Sequence, residues 1–354
     1  MAGELDQFVL KQLEEDTTSV NLYGFGLTEL PDSFMQFTSI ENLHLGNNQF
    51  REFPEVVCAL PNLKRLCLND NSLTDLPVTI AQLSNVVELE LEANQLTEIP
   101  DSVLRLNSLE SLDVRANNLT NIPDQVTNLT NLVELYVGSN ELTSIPEVIC
   151  ELTKLHTLGF SHSQLAELPE QLSQLGSLRE LWLDNNNFFE LPEQLSQLGS
   201  LRGLWLDYNR ISECPEWIGC FSELTDLKLG DNLLRTLPTE IGGLRQLKEL
   251  GLSYNRLAAL PESIGQLNQL TKLDLHENQL VVLPTSFCNL TGLVELDLGF
   301  NRLTELPDSV RELAGLTKLD LGFNRLTELP EGVAELKNLT DLSVIANQMP
   351  DDRL

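Results

Sequence analysis

Asparagine recurs in this chain at fixed intervals: Asn48, Asn71, Asn94, Asn117, Asn140, Asn186, Asn209, Asn232, Asn255, Asn278, Asn301, Asn324 and Asn347 are separated by 23 residues or a multiple of it. A period of this length overrides any reading of 354 residues as two or three unrelated domains, because each period is one supersecondary unit that must stack on its neighbours to bury its apolar side. Fifteen units fit over residues 18–348 without an insertion. The first and seventh place Phe25 and Ser163 at the asparagine position, which marks them as the weakest joints.

The shared unit reads L-x-x-L-x-L-x-x-N-x-L-x-x-L-P-x-x-I-x-x-L-x-x. In L-x-L, as in Leu273-Asp274-Leu275, alternation of period two sends leucines to one face and polar residues to the other, so each unit supplies one short parallel strand. The asparagine amide can donate and accept, and is expected to satisfy backbone groups where the chain leaves the strand, stacked copies forming a buried ladder. Fourteen of the sixteen prolines, all but Pro61 and Pro350, share one position. There a fixed φ and a missing N–H end the strand direction and start a return segment, whose I-x-x-L is a short helical or 3-10 turn.

This pattern resembles the leucine-rich-repeat family, and the second half of the unit, as in Leu260-Pro261-Glu262-Ser263-Ile264-Gly265-Gln266-Leu267, resembles its intracellular Ras-group type. That group includes Ras-pathway scaffolds, the Scribble and Erbin polarity proteins and plant relatives. The resemblance implies an α/β leucine-rich-repeat solenoid, a curved horseshoe with a parallel concave sheet of about 15 strands and short helical or 3-10 segments on its convex side. It also implies a protein-binding scaffold or adaptor in intracellular signalling, with small GTPases, phosphatases or kinases as partner classes. The chain departs from that expectation in having no basic-x-Val/Ile-x-aromatic phosphatase-docking peptide. The alternative is the regulatory arm of a larger GTPase or kinase; an immune or pathogen-recognition receptor is a third reading. Residues 1–17, with Leu5, Phe8, Val9 and Leu13 on one helical face, read as an N-terminal helical cap. Residues 349–354 form a tail with no recognisable cap, so the chain is expected to be a fragment or to fray at Leu342–Ile345.

Charge narrows the partners. A formal net charge of -31 is of the wrong sign for phosphate backbones and anionic lipid, which argues against nucleic acid and membrane insertion. The cysteines, Cys58, Cys67, Cys150, Cys214, Cys220 and Cys288, are scattered rather than gathered into terminal disulfide caps, and the opening residues lack the basic start and apolar run of a signal peptide. A cytoplasmic location is expected, in which the sequons at Asn118, Asn128, Asn289 and Asn338 carry no sugar. Oligomeric state is not legible.

Equivalent positions of successive units stand in columns roughly 4.8 Å apart. The central x of L-x-L runs Asn21, His44, Cys67, Glu90, Asp113, Tyr136, Gly159, Trp182, Trp205, Lys228, Gly251, Asp274, Asp297, Asp320, Ser343. Trp182 and Trp205 are expected on adjacent strands facing solvent, with Gly159 and Gly251 leaving open space nearby and Asp184 and Asp207 alongside. Because Leu168–Arg179 recurs as Leu191–Arg202, copying accounts for the pair as readily as binding does, and the indoles could simply stack on each other. A second column carries Tyr208, Tyr254, Phe300 and Phe323, followed two positions on by Arg210, Arg256, Arg302 and Arg325. Beside the acidic row Asp274, Asp297 and Asp320, it suits a partner with its own charge stripes, the alternative being a solvated repeat face, and Leu296–Pro307 recurs as Leu319–Pro330 by copying. These residues, with Tyr136, make up the candidate protein-binding surface. His44, Cys67 and Glu90 superficially resemble a nucleophile, base and orienting group. An open sheet offers no water-excluding pocket or oxyanion donor, and one Cys with one His falls short of a zinc site. The glycines are spread rather than clustered, so no phosphate-binding loop, cofactor, metal or catalytic site is expected.

Overall fold

A computed structural model of the chain describes residues 18–349. The expected N-terminal cap and nearly all of the tail lie outside the described residues. Two compact units result, Met1–Gln164 and Leu165–Leu354.

In the first unit, β1 (Ser19–Asn21), β2 (Asn42–His44), β3 (Arg65–Cys67), β4 (Glu88–Glu90), β5 (Ser111–Asp113), β6 (Glu134–Tyr136) and β7 (Thr157–Gly159) pair in chain order, all parallel. The second unit repeats the arrangement with β8 (Glu180–Trp182), β9 (Gly203–Trp205), β10 (Asp226–Lys228), β11 (Glu249–Gly251), β12 (Lys272–Asp274), β13 (Glu295–Asp297), β14 (Lys318–Asp320) and β15 (Asp341–Ser343). Each strand residue faces its counterpart 23 positions on, as in Leu273↔Leu296, so the leucines stack into continuous buried columns. The return segments start at the shared proline in extended geometry. Pro261, for example, precedes the 3-10 turn Glu262–Gln266, which buries Ile264. The turn after Pro330, Glu331–Ala334, is α-helical. This is the repeat solenoid expected from the pattern, built of parallel strands and short 3-10 turns.

The asparagine ladder is present in both units. Asn301 donates from Nδ2 to the carbonyls of Leu275 (2.9 Å), Leu298 (3.1 Å) and Gly299 (3.2 Å) and accepts at Oδ1 from the Leu280 N–H (3.0 Å). One amide thus serves four backbone groups, two of them in the preceding repeat, where no water could replace it. At the seventh repeat Ser163 is too short for this. Its Oγ is buried without a partner, and the division between the two units falls directly after the neighbouring Gln164. Ser163 was expected to mark a weak joint; the ladder's amide is missing there.

β15 is formed and parallel to β14, but Leu342 is 40% exposed where Leu319, its counterpart one strand earlier, is 1% exposed.

Candidate protein-binding face

The residue before each ladder position lies in the left-handed region, including His162 ahead of Ser163. Asn47, Asp70, Ala93, Ala116, Ser139 and His162 adopt φ between 48° and 56° in the first unit, as do Asn185, Tyr208, Asp231, Tyr254, Glu277, Phe300, Phe323 and Ala346 in the second. For a residue with a Cβ this region costs about 1–2 kcal/mol, least for Asn and Asp, whose short side chains bond locally. Tyr208, Tyr254, Phe300 and Phe323 occupy it at φ 53–55° and are 56%, 46%, 43% and 44% exposed. Backbone preference does not explain aromatic side chains there.

Three of them are joined into a row by a residue that sequence reading passed over. The His276 ring lies between Tyr254 (5.5 Å) and Phe300 (5.0 Å), and Phe300 stacks on Phe323 at 4.0 Å with an interplanar angle of 12°. Nδ1 of His276 is 3.3 Å from Asp297 Oδ1. Tyr208 stands apart, its pKa raised chiefly by the charge of Asp231. Arg256, Arg302 and Arg325, each two residues beyond a ring of the row, are exposed and in no ion pair among the described residues. Arg210 differs, its guanidinium lying 5.5 Å from the centroid of exposed Phe189.

The tryptophans depart from expectation. Trp182 and Trp205 are half-buried rather than facing solvent freely, stacked on each other at 4.1 Å and 11°. Gly203 makes this possible, because a Cβ built there would stand 2.2 Å from the Trp205 ring. The preceding repeat carries Glu180 at that position, so the copied segment ends where this difference begins. Nor do the two glycines leave open space. Tyr136 covers Gly159, with Cδ1 3.0 Å from where a Cβ would stand, and the Lys228 stem covers Gly251 at 3.0 Å. Tyr136 lies in the first unit, under the Arg115 guanidinium (5.3 Å). Beside the indoles, Asp207 accepts the Gly230 N–H at 2.7 Å. Burial pushes its carboxyl up to about 6, the nearby Asp184 charge adding to the rise and the Gly230 bond opposing it.

A family model of the leucine-rich repeat region matches residues 88–181 and 233–352, and two further leucine-rich repeat models match residues 38–96 and 177–198. The chain belongs to the leucine-rich-repeat family. A leucine-rich-repeat protein of Leptospira interrogans is 32% identical over 97% of this chain and 94% of its own, with a TM-score of 0.89. The leucine-rich-repeat ectodomain of the Arabidopsis thaliana membrane receptor kinase GASSHO1/SCHENGEN3, solved in complex with CASPARIAN STRIP INTEGRITY FACTOR 2, is 32% identical over 91% of this chain and 40% of that one (TM-score 0.75). The plant peptide hormone receptor RGFR1, in complex with RGF2, is 27% identical over 93% of this chain and 63% of its own (TM-score 0.64). No curated protein matches the chain.

Within the leucine-rich-repeat frame the acidic row has a local duty. Asp274, Asp297 and Asp320 each accept, through Oδ1, the N–H two residues on, at 3.0, 2.9 and 2.7 Å, and Asp113 does the same for Arg115. Such bonds satisfy donors at the strand end and fix one carboxylate oxygen; the second oxygen of Asp113 is held by the Arg115 guanidinium at 2.6 Å. In the first unit, His44 packs against Tyr23 at 5.3 Å and its Nδ1 is buried without a partner. Cys67 is buried, and burial pushes its thiol up to about 12, with Glu90 adding to the rise. A thiol so raised is the opposite of an activated nucleophile. Among the described residues no group of three or more His, Cys, Asp or Glu could hold a metal ion, and no helix is long and apolar enough to cross a membrane.

Proposed function

We propose that this leucine-rich-repeat chain is a protein-binding scaffold or adaptor whose working surface lies on the strand side of its second unit. The observation that carries the reading is the exposed column Tyr208, Tyr254, Phe300 and Phe323 at left-handed positions. The repeat imposes the left-handed backbone whatever residue stands there, and exposed aromatics beside arginines have the composition of binding hot spots. The stacked Trp182–Trp205 pair, with Asp184 and Asp207, adds a rigid platform that loses little entropy on binding. Two of the similar plant receptors are solved in complex with a partner, in line with this use of the fold.

The intracellular side of the proposal rests on the six cysteines, all free thiols, and on the Ras-group likeness of the L-P-x-x-I-x-x-L segments. It makes a cytoplasmic signalling role, with a small GTPase, phosphatase or kinase as partner, the finer form of the reading.

The test is affinity capture from native lysate with the full chain, a Trp182→Ala/Trp205→Ala variant, a Phe300→Asn/Phe323→Asn variant and a Ser196→Ala control on a return turn. Circular dichroism first establishes equal folding. Proteins retained by the full chain and control and lost by either face variant support the reading. Identical capture by all four overturns it.

A further inference from the structure

We propose that the row Tyr254–His276–Phe300–Phe323, with Arg256, Arg302 and Arg325, is a docking surface for an extended, acidic segment of a partner protein. The inference rests on the protein-binding reading and adds the partner's chemistry. Size comes first: the row crosses four strands, β11 to β14, and therefore spans about 14 Å at the usual strand spacing. An extended chain covers that length with roughly five residues. The rings touch in sequence at 5.5, 5.0 and 4.0 Å, forming a continuous apolar strip rather than separate spots.

Charge then selects the occupant. The position after the ladder asparagine holds Gln49, Ser72, Gln95, Asn118 and Glu141 in the first unit, whereas four of the eight in the second are Arg210, Arg256, Arg302 and Arg325, the others being Asn187, Leu233, Gln279 and Gln348. In a chain with 53 acidic against 22 basic residues, carboxylates are available for pairing, and Arg65, Arg115, Arg202 and Arg311 do pair with them. Arg256, Arg302 and Arg325 do not, which leaves three guanidinium forks for carboxylates supplied by a partner. On the same repeats Asp274, Asp297 and Asp320 are partly exposed carboxylates, each with Oδ1 held by a backbone N–H. They repel an acidic segment and so set its lane along the arginine side, with its apolar side chains on the rings. The occupant proposed is a peptide, and a single-stranded nucleic acid is an outcome of the test below.

Random peptides of about 16 residues displayed on phage and selected on the full chain read out this chemistry directly. The expected result is enrichment of sequences with Asp or Glu among aromatic or aliphatic residues. As synthetic peptides these should bind the full chain in a salt-sensitive way, with affinity falling about tenfold or more in Phe300→Asn/Phe323→Asn and again in Arg302→Glu/Arg325→Glu. Thermal unfolding of both variants like the parent shows that the loss is local. Enriched peptides that are basic or uncharged, peptides that bind both variants undiminished, or no enrichment over bare support each overturn the proposal. So does a labelled single-stranded oligouridine that binds the full chain and loses binding in the same variants. If lysate partners are lost on Trp182→Ala/Trp205→Ala but kept on Phe300→Asn/Phe323→Asn, protein binding stands and this docking row falls.

Discussion

The two units share one backbone solution and fill it differently. Before each ladder residue both adopt the same left-handed conformation, yet the first unit places there Asn47, Asp70, Ala93, Ala116, Ser139 and His162, while the second places Tyr208, Tyr254, Phe300 and Phe323 among its residues. Arginine pairing does not divide by unit, since Arg202 and Arg311 of the second unit are also paired. Arg65 is bound to Glu88, and Arg115 to Asp113 and Glu92, whereas Arg256, Arg302 and Arg325 of the second unit stand unpaired among the described residues. The lesson is that the repeat dictates the strained position but not its occupant. On the proposed reading, the aromatics at that position in the second unit serve binding rather than stability.

Five measurements break or sharpen that comparison. The largest effect belongs to what the units share: Asn94→Ala in the first and Asn301→Ala in the second should each cost about 3–5 kcal/mol, since each amide serves four backbone groups. Hydrogen exchange resolves the loss repeat by repeat, and a cost confined to one unit would break the claim of a common frame. Next, Gly203→Ala should destabilise by about 1–3 kcal/mol and abolish the exciton signal of the stacked indoles in circular dichroism, because the new methyl displaces the Trp205 ring. Gly176→Ala, where a Cβ meets nothing within 4 Å, is the control. Third, Ser163→Asn should stabilise by about 1 kcal/mol by supplying the missing acceptor and donors, seen as slower exchange of the Leu142 amide.

The fourth test addresses the left-handed column itself. Tyr208→Asn should raise stability by about 0.5–1 kcal/mol and Asn47→Tyr should lower it by a similar amount, read from denaturant midpoints. Equal and opposite effects would show that the second unit carries its aromatics at a thermodynamic cost; no effect in either would show that it does not. The smallest concerns pH. Asp207 has a folded-state pKa raised to about 6, so the folded chain holds its proton more tightly than the unfolded one. Its contribution is fully present below the usual carboxylate range and lost as pH rises through about 6. Stability should therefore fall between pH 4 and 7 at this site, and Asp207→Asn should remove that slope while keeping the bond to the Gly230 N–H.

Much of the frame was legible because it repeats. The strand Leu-Asp-Leu at 273–275, the proline at 261 and the amide at 301 recur every 23 residues, and no arrangement other than stacking satisfies fifteen copies. Ser163 could be singled out as a break in the ladder for the same reason. The candidate face was legible only as columns of residue types. His276 escaped notice because a lone histidine breaks no pattern, and Gly203 because only the path of an indole across its Cα gives it meaning.

What the sequence by itself determined, then, is the period, the alternation that buries the leucines, the backbone duty of the asparagines and the order in which chemistry is laid along the strands. Tertiary structure alone decided where side chains lean once they leave the sheet. Trp205 folds back over Gly203 onto Trp182, Tyr136 and Lys228 close the space over Gly159 and Gly251, and the aspartates turn one oxygen back to their own backbone. The physical reason is that backbone register depends on periodic, local choices, whereas a surface rotamer is settled by neighbours 23 residues away, whose volumes and charges follow no period.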